Sequence, residues 1–361
     1  MLLTLARYQS TCPNFDQHFA VCFEGRLASD LEAFGHSAHR LGAVRASRPW
    51  SVLAARRTLR RQLDDGGYDW VICHGAWPLG LLGPGVRLTR TRLALWLHDA
   101  AHGKHWVERL ARRTRPDFAI CNSRYTANSL SALFQELPNE VLHCPVPKPQ
   151  ATELNARTIL RNTLGANEQT TVILIAARFE EWKGHRVLLE ALARLKDNHS
   201  WRCWIAGGTQ RSHEQAYFKT LKIQARDSDI NDRIQFLGAR NDVDGLMAAA
   251  DIYCQPNTGP EPFGISFIEA LYAGLPVVTS NFGGAAEILT PNCGTLLPPG
   301  DATALANELR LLITNPAKRA TVAEHGPRRA AELCDPAQQL NRLRTLLSAV
   351  KWTKIRERGD S

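Results

Sequence analysis

Short runs of aliphatic, β-branched and aromatic residues alternate with amphipathic stretches along most of this chain. The runs are FAVCF (19–23), DWVICHG (69–75), LALWLHD (93–99), DFAICNS (117–123), EVLHCPV (140–146), TTVILIAAR (170–178), WRCWIAGG (201–208), RIQFLGA (233–239), ADIYCQP (250–256) and LPVVTS (275–280). Strands that are apolar almost throughout, with helices between them, predict parallel sheets covered on both faces. The expected fold class is α/β, with two facing Rossmann-like domains. Pro145, Pro147 and Pro149 force extended backbone and place the boundary there, giving a first domain over 1–148 and a second over 149–334. A terminal helix over 335–361 follows, crossing back toward the first domain. It opens on Asp335-Pro336 and carries Leu340, Leu343, Leu346, Leu347 and Val350 at helical spacing.

Composition narrows the class. With 44% hydrophobic and 22% charged residues, the chain is that of an ordinary folded protein. Its longest apolar run, Val172 to Ala177, is far short of the roughly 18 residues that span a bilayer, and MLLTLARYQ is too short for a secretory h-region. The expected compartment is the cytosol. Nine cysteines without a CxxC pair suit buried thiols, and neither disulfides nor zinc are expected. Residues 1–150 hold 19 Lys/Arg against 12 Asp/Glu, whereas residues 151–361 hold 25 against 23, so the basic half is N-terminal. Arg56, Arg57, Arg60 and Arg61 fall on one face of a predicted helix. That face suits peripheral contact with an anionic membrane or acceptor, and an ordinary solvated face is the alternative. Nucleic acid is disfavoured, because these arginines are not interleaved with stacking aromatics.

Ligands of open α/β sheets bind beyond the carboxyl ends of the strands, so the chemistry is sought there. In EPFGISFIEALYAGLPVV (261–278), a helix starts near Gly264, and its free N–H groups offer a phosphate site. Glu261 in the loop and Glu269, about 7.5 Å along the helix axis, would flank a diphosphate. One carboxylate suits the ribose diol and the other a sugar hydroxyl. After the strongest strand, Arg178 and Lys183 offer two cations to a departing diphosphate, a form of catalysis that needs no metal. Asp242-Val243-Asp244 matches a metal-binding Asp-x-Asp pattern, but the expected role is helix capping by Asn241 or Asp242.

These segments resemble the retaining glycosyltransferases of family 4, which have the GT-B architecture. The resemblance is strong over 170–290 and rests on Glu261-x7-Glu269, on the basic pair Arg178 and Lys183, and on DRIQFLGARNDVDGLMAAADIYCQPN (232–257). It implies that Glu261 contacts the donor sugar, that Glu269 contacts the ribose, and that Phe263, Gly264, Ile265 and Ser266 lie near the phosphates. It also implies that Arg240 lies near the base and that His98, at the end of LALWLHD, binds the transferred sugar. Glu287, in NFGGAAEIL (281–289), is taken as structural. His102 and His105 would join His98 on one face only if that stretch were helical, and Gly103 argues against it.

The implied reaction is transfer of a sugar from a nucleotide diphosphate sugar to a hydroxyl of a glycan or lipid-linked acceptor, with retention and without a metal or other cofactor. Polysaccharide biosynthesis at the inner face of the membrane is the expected setting. A nucleotide-sugar epimerase of the same architecture and an inactive nucleotide-sugar-binding protein are the rival readings. Family members begin with a strand and a glycine-rich turn, whereas Leu2 to Ala6 read as the end of a helix, so a strand is expected upstream of Met1.

Overall fold

The computed structural model describes residues 1–150, 155–198 and 200–350. The chain divides into two compact units, Met1–Pro145 with the segment from Pro336, and Val146–Asp335.

In the first unit, β1 (Phe19–Val21) pairs in parallel with β2 (Ala38–Arg40). A separate parallel sheet holds β3 (Trp70–His74), β4 (Arg92–Leu97), β5 (Phe118–Cys121) and β6 (Asn139–Val141) in sequential order. FAVCF and EVLHCPV thus contribute shorter strands than their apolar runs suggested. Among the described residues no ladder joins β1 to β3. The rings of His18 and Tyr68, before the two strands, lie 5.2 Å apart, and those of Phe23 and Trp77, after them, lie 5.6 Å apart. The strands therefore run side by side in one direction, each with one edge unpaired. A cavity of about 370 Å³ is lined by Met1, Leu2, Leu3, Leu27, His74 and His98. The helix Pro336–Ala349 packs Leu340, Leu343 and Leu347 onto Leu5, Trp96, Phe118, Ile120 and Leu142 of this unit. The part of the predicted terminal helix beyond 350 lies outside the described residues.

The second unit is built on one parallel sheet in the order β12-β11-β10-β7-β8-β9. Its strands are β7 (Thr171–Ala176), β8 (Trp201–Ala206), β9 (Ile234–Gly238), β10 (Ile252–Gln255), β11 (Val277–Ser280) and β12 (Gly294–Leu297). Val172, Ile173, Leu174 and Ile175 of β7 are fully buried, as a central strand covered on both faces requires. From β7 the chain moves to one side through β8 and β9, and from β10 to the other through β11 and β12. The reversal places the topological switch point between the carboxyl ends of β7 and β10, where such sheets bind ligands. All nine cysteines are free.

Candidate active site

Arg178 and Lys183 follow β7, while Gln255, Asn257, Glu261 and the helix Ile265–Tyr272 follow β10, so the switch point brings them together. Lys183 Nζ donates to Glu261 Oε2 at 2.6 Å, and both side chains are nearly buried, 14% and 13% exposed. The ammonium also stands 3.9 Å above the Trp182 ring. The same Glu261 oxygen accepts from Gln255 Nε2 at 3.2 Å and from Asn257 Nδ2 at 3.4 Å. Gln255 Oε1 in turn accepts from the hydroxyls of Tyr253 at 3.0 Å and Ser266 at 3.4 Å, and Gln255 Nε2 also donates to Asn257 Oδ1 at 2.9 Å. A buried amide with every lone pair and proton engaged is a rigid support. It holds the Glu261 carboxylate and its lysine in one geometry.

Arg178 is exposed on its outer side and pairs with Glu180 at 3.1 Å and Glu214 at 3.9 Å. Both cations of the predicted diphosphate site therefore face carboxylates in this structure, and Glu261 is the partner of Lys183.

Three glycines shape the loops. Gly184 (φ +79°) precedes the helix His185–Ala193, and a Cβ there would lie 1.8 Å from the Pro256 carbonyl oxygen. Gly264 (φ +108°) precedes Ile265–Tyr272 and is closed by the Phe267 ring. Gly283 (φ +66°) lies against the Glu261 backbone, and Gly284 donates its N–H to the Glu261 carbonyl at 2.7 Å. Left-handed conformation and sub-van-der-Waals space together admit only glycine. Phe263 is buried, whereas Ile265 is 41% exposed at the first turn.

Glu269 extends from the same helix, and among the described residues its carboxyl group has no hydrogen-bond or ion-pair partner. Burial, and secondarily the Asp244 charge, push its pKa up to about 7. Arg240 follows β9 and binds Asp242 through two bonds of 2.8 and 2.5 Å. This corrects the capping assignment: Asp242 holds the N-cap position of the helix Val243–Ala249, but its carboxylate caps nothing and is spent on Arg240. Among the described residues no group of three or more His, Cys, Asp or Glu side chains is placed to hold a metal ion.

In the first unit, His98 Nε2 lies 3.1 Å from His74 Nδ1, with the rings parallel to within 5° and both stacked on Trp96. Burial lowers their pKa values to about 4 and about 3, so both are neutral and one ring donates to the other. His102 and His105 are elsewhere: the segment is not helical, Gly103 is left-handed, and His105 caps the helix Trp106–Ala111.

Residues 156–329 match the glycosyl transferases group 1, and residues 2–148 match glycosyltransferase family 4. A phosphatidyl-myo-inositol mannosyltransferase of Mycobacterium leprae is 34% identical over 286 residues, which cover 73% of this chain and 68% of the relative. This chain belongs to that glycosyltransferase family. The lipopolysaccharide glucosyltransferase WaaG of Escherichia coli is 33% identical over 175 residues, 47% of this chain and 45% of the relative. The structure of Anabaena Alr3699/HepE in complex with UDP and glucose superposes with a TM-score of 0.82 at 25% identity, covering 96% of this chain and 95% of that one. The shared architecture is GT-B, and glycosyltransferases of this type use a nucleotide sugar as donor.

Some residues of this glycosyltransferase's candidate site were missed from sequence. Gln255 and Asn257 sit in a run that reads as a strand end, and the signal was present: amides closing an apolar strand at its carboxyl end need partners once buried. His74 closes β3 as His98 follows β4, and the same argument applied to both.

Proposed function

We propose that this glycosyltransferase moves a sugar from a nucleotide diphosphate sugar to a hydroxyl of a lipid-linked glycan or related acceptor, with retention at the anomeric carbon and without a metal. The observation that carries the reading is the Lys183–Glu261 pair, locked by Gln255 and Asn257 beside the N-terminus of Ile265–Tyr272 at the switch point. A diphosphate entering there meets the free N–H groups after Gly264. It draws Lys183 and Arg178 from their carboxylates, and as the sugar–oxygen bond breaks these fixed cations neutralise the growing charge on the leaving phosphate. Glu261, released from the lysine, accepts a hydrogen bond from a donor-sugar hydroxyl. Glu269, with no partner among the described residues, takes the ribose diol, Arg240 borders the base, and His98 binds the transferred sugar.

The acceptor class follows the printed activities of the relatives, a phosphatidyl-inositol mannosyltransferase and a lipopolysaccharide glucosyltransferase. Peripheral association with the inner face of a membrane accords with such acceptors, since no helix among the described residues is long and apolar enough to cross one. Relatives that are transferases favour this reading over an epimerase and over a binding-only protein. The test is incubation of the purified chain with nucleotide sugars and lipid-linked acceptors in chelator, with the anomeric configuration of the product read by NMR. Retention with acceptor-dependent turnover is expected. An inverted product, or turnover only on adding a divalent ion, overturns it. Lys183→Ala is expected to lower kcat about 100- to 1000-fold while nucleotide binding persists.

A further inference from the structure

At their carboxyl ends β7 and β8 carry Ala176 and Ala206 in register, and the loop after β8 closes over the start of the loop after β7. A Cβ on Gly207 would lie 2.0 Å from the Ala177 carbonyl oxygen, so only glycine lets this backbone run so close to Arg178. The loop then enters the helix Ser212–Asp227, whose third residue is Glu214. An acidic side chain in a first turn is expected to meet the unpaired N–H groups there. Glu214 does so: its Oε2 accepts from the N–H groups of Gln210 and, at 3.2 Å, of Arg211.

Capping does not account for the other oxygen. The Glu214 side chain is fully buried, and its Oε1 has no hydrogen-bond partner among the described residues. The bond from the Gln210 N–H holds the carboxyl below the usual carboxylate range, so the group is an anion at neutral pH. A buried anionic oxygen without a donor is unfavourable unless a cation stands near it. Arg178 Nη1 is 3.9 Å away, and the arginine side chain is 45% exposed on its other sides. Arg178 also meets Glu180 at 3.1 Å. Glu180 lies two residues along the same loop, whereas Glu214 is fixed by two backbone bonds on the loop of a neighbouring strand.

We propose that Glu214 is a positioning residue that holds Arg178 away from the diphosphate and takes it back when the nucleotide leaves. The proposal rests on the reading of Arg178 as a cation for the donor diphosphate. A phosphate that draws the guanidinium across leaves Glu214 Oε1 buried, charged and alone, and the affinity for the nucleotide falls by that amount. Bound product is thereby loosened. The transition state, with more charge on its leaving phosphate, holds Arg178 more firmly than the ground state does.

The experiment compares the full chain with Glu214→Gln, Arg178→Ala and the double variant, by calorimetry with UDP and with GDP and by melting without ligand. Glutamine keeps an oxygen for the Gln210 and Arg211 N–H groups and turns an uncharged amide toward Arg178. Glu214→Gln is expected to bind the diphosphate that the parent prefers at least about fivefold more tightly. Damage to the fold would weaken binding, so the sign separates positioning from a structural role. In the Arg178→Ala background the same substitution is expected to change affinity by less than about twofold. Arg178→Ala strands the buried carboxylate, so its Tm should fall by more than about 2 °C, and the double variant should recover the loss. Unchanged or weaker diphosphate binding by Glu214→Gln overturns the proposal, as does equal tightening without Arg178, which marks plain charge repulsion. An Arg178→Ala chain as stable as the parent overturns it without any variant at position 214. If Arg178→Ala binds both diphosphates as well as the parent does, or the parent binds neither, the reading of Arg178 fails and the proposal falls with it.

Discussion

The proton on Glu269 is governed by two features of its surroundings: partial burial in a helix whose neighbours Phe267, Ile268, Ala270 and Leu271 are fully buried, and the charge of Asp244. A carboxyl group raised to about 7 is near half-protonated at neutral pH. Ribose hydroxyls donate to the ionised form, so nucleotide binding should expel that proton. Calorimetry at pH 7 in buffers of different ionisation enthalpy is expected to show about half a proton released by the parent, and less by Glu269→Gln. The stability effect has a definite sign. A raised acid favours the folded state below its ordinary pKa and loses that contribution as pH rises through about 7. Glu269→Gln should therefore raise Tm at pH 8 and leave it nearly unchanged at pH 5, while weakening nucleotide binding. The histidines act in the opposite sense. His74, His98 and His185 are lowered to about 3, 4 and 4, mainly by burial. The unfolded chain takes up their protons below about 6.5 while the folded chain does not, so Tm should fall as pH drops from 6.5 toward 4. His185→Phe should flatten that fall.

At the scale of elements, the loops after β7 and β10 are held by contacts that no single residue announces. Gly184 adopts φ +79° with Pro256 pressed against the place of a Cβ, and thereby ties the turn after Lys183 to the strand end that carries Gln255 and Asn257. Gly184→Ala must either move Pro256 or strain the turn. It is expected to destabilise the second unit by more than about 1 kcal/mol and to weaken nucleotide binding at least tenfold, read by denaturant titration and calorimetry. Arg178, Lys183, Glu261 and Glu269 were legible in the sequence as candidates because charge just beyond a strand end or within the first turns of a helix is a local pattern. Their actual partners were not. The Lys183–Glu261 bond joins residues 78 apart, and which carboxylate a cation meets depends on strand order. Asp242 shows the converse error: a local rule predicts a cap, but an arginine two residues earlier competes for the same carboxylate. FAVCF and EVLHCPV read as full strands because hydrophobicity marks burial, whereas strand length is decided by the neighbour available for pairing.

For the molecule as a whole, the alternation of apolar runs and helical stretches was enough to indicate two α/β layers, since parallel strands buried on both faces leave that signature. The division of the first unit's strands into a pair and a group of four was not indicated, because pairing is a property of the folded chain. The terminal helix has a consequence that neither unit shows alone. The chain leaves the first unit near Pro145, completes the second, and returns at Pro336 to cover β4, β5 and Leu5 of the helix Leu2–Arg7 with Leu340, Leu343 and Leu347. Each buried leucine contributes roughly 1.5–3 kcal/mol, so a chain ending at Asp335 loses on the order of 5 kcal/mol, all of it from the first unit. A stability of about 5–15 kcal/mol for a domain does not absorb such a loss easily. Hydrogen exchange on the truncated chain is expected to show lost protection in Leu93–Leu97 and Phe118–Cys121. Val172–Ile175 and Ile252–Gln255 should stay protected, and a nucleoside diphosphate should still raise the Tm of the second unit. Equal loss in both sets of strands would mean that the units fold as one cooperative body, and that the returning helix stabilises the whole chain.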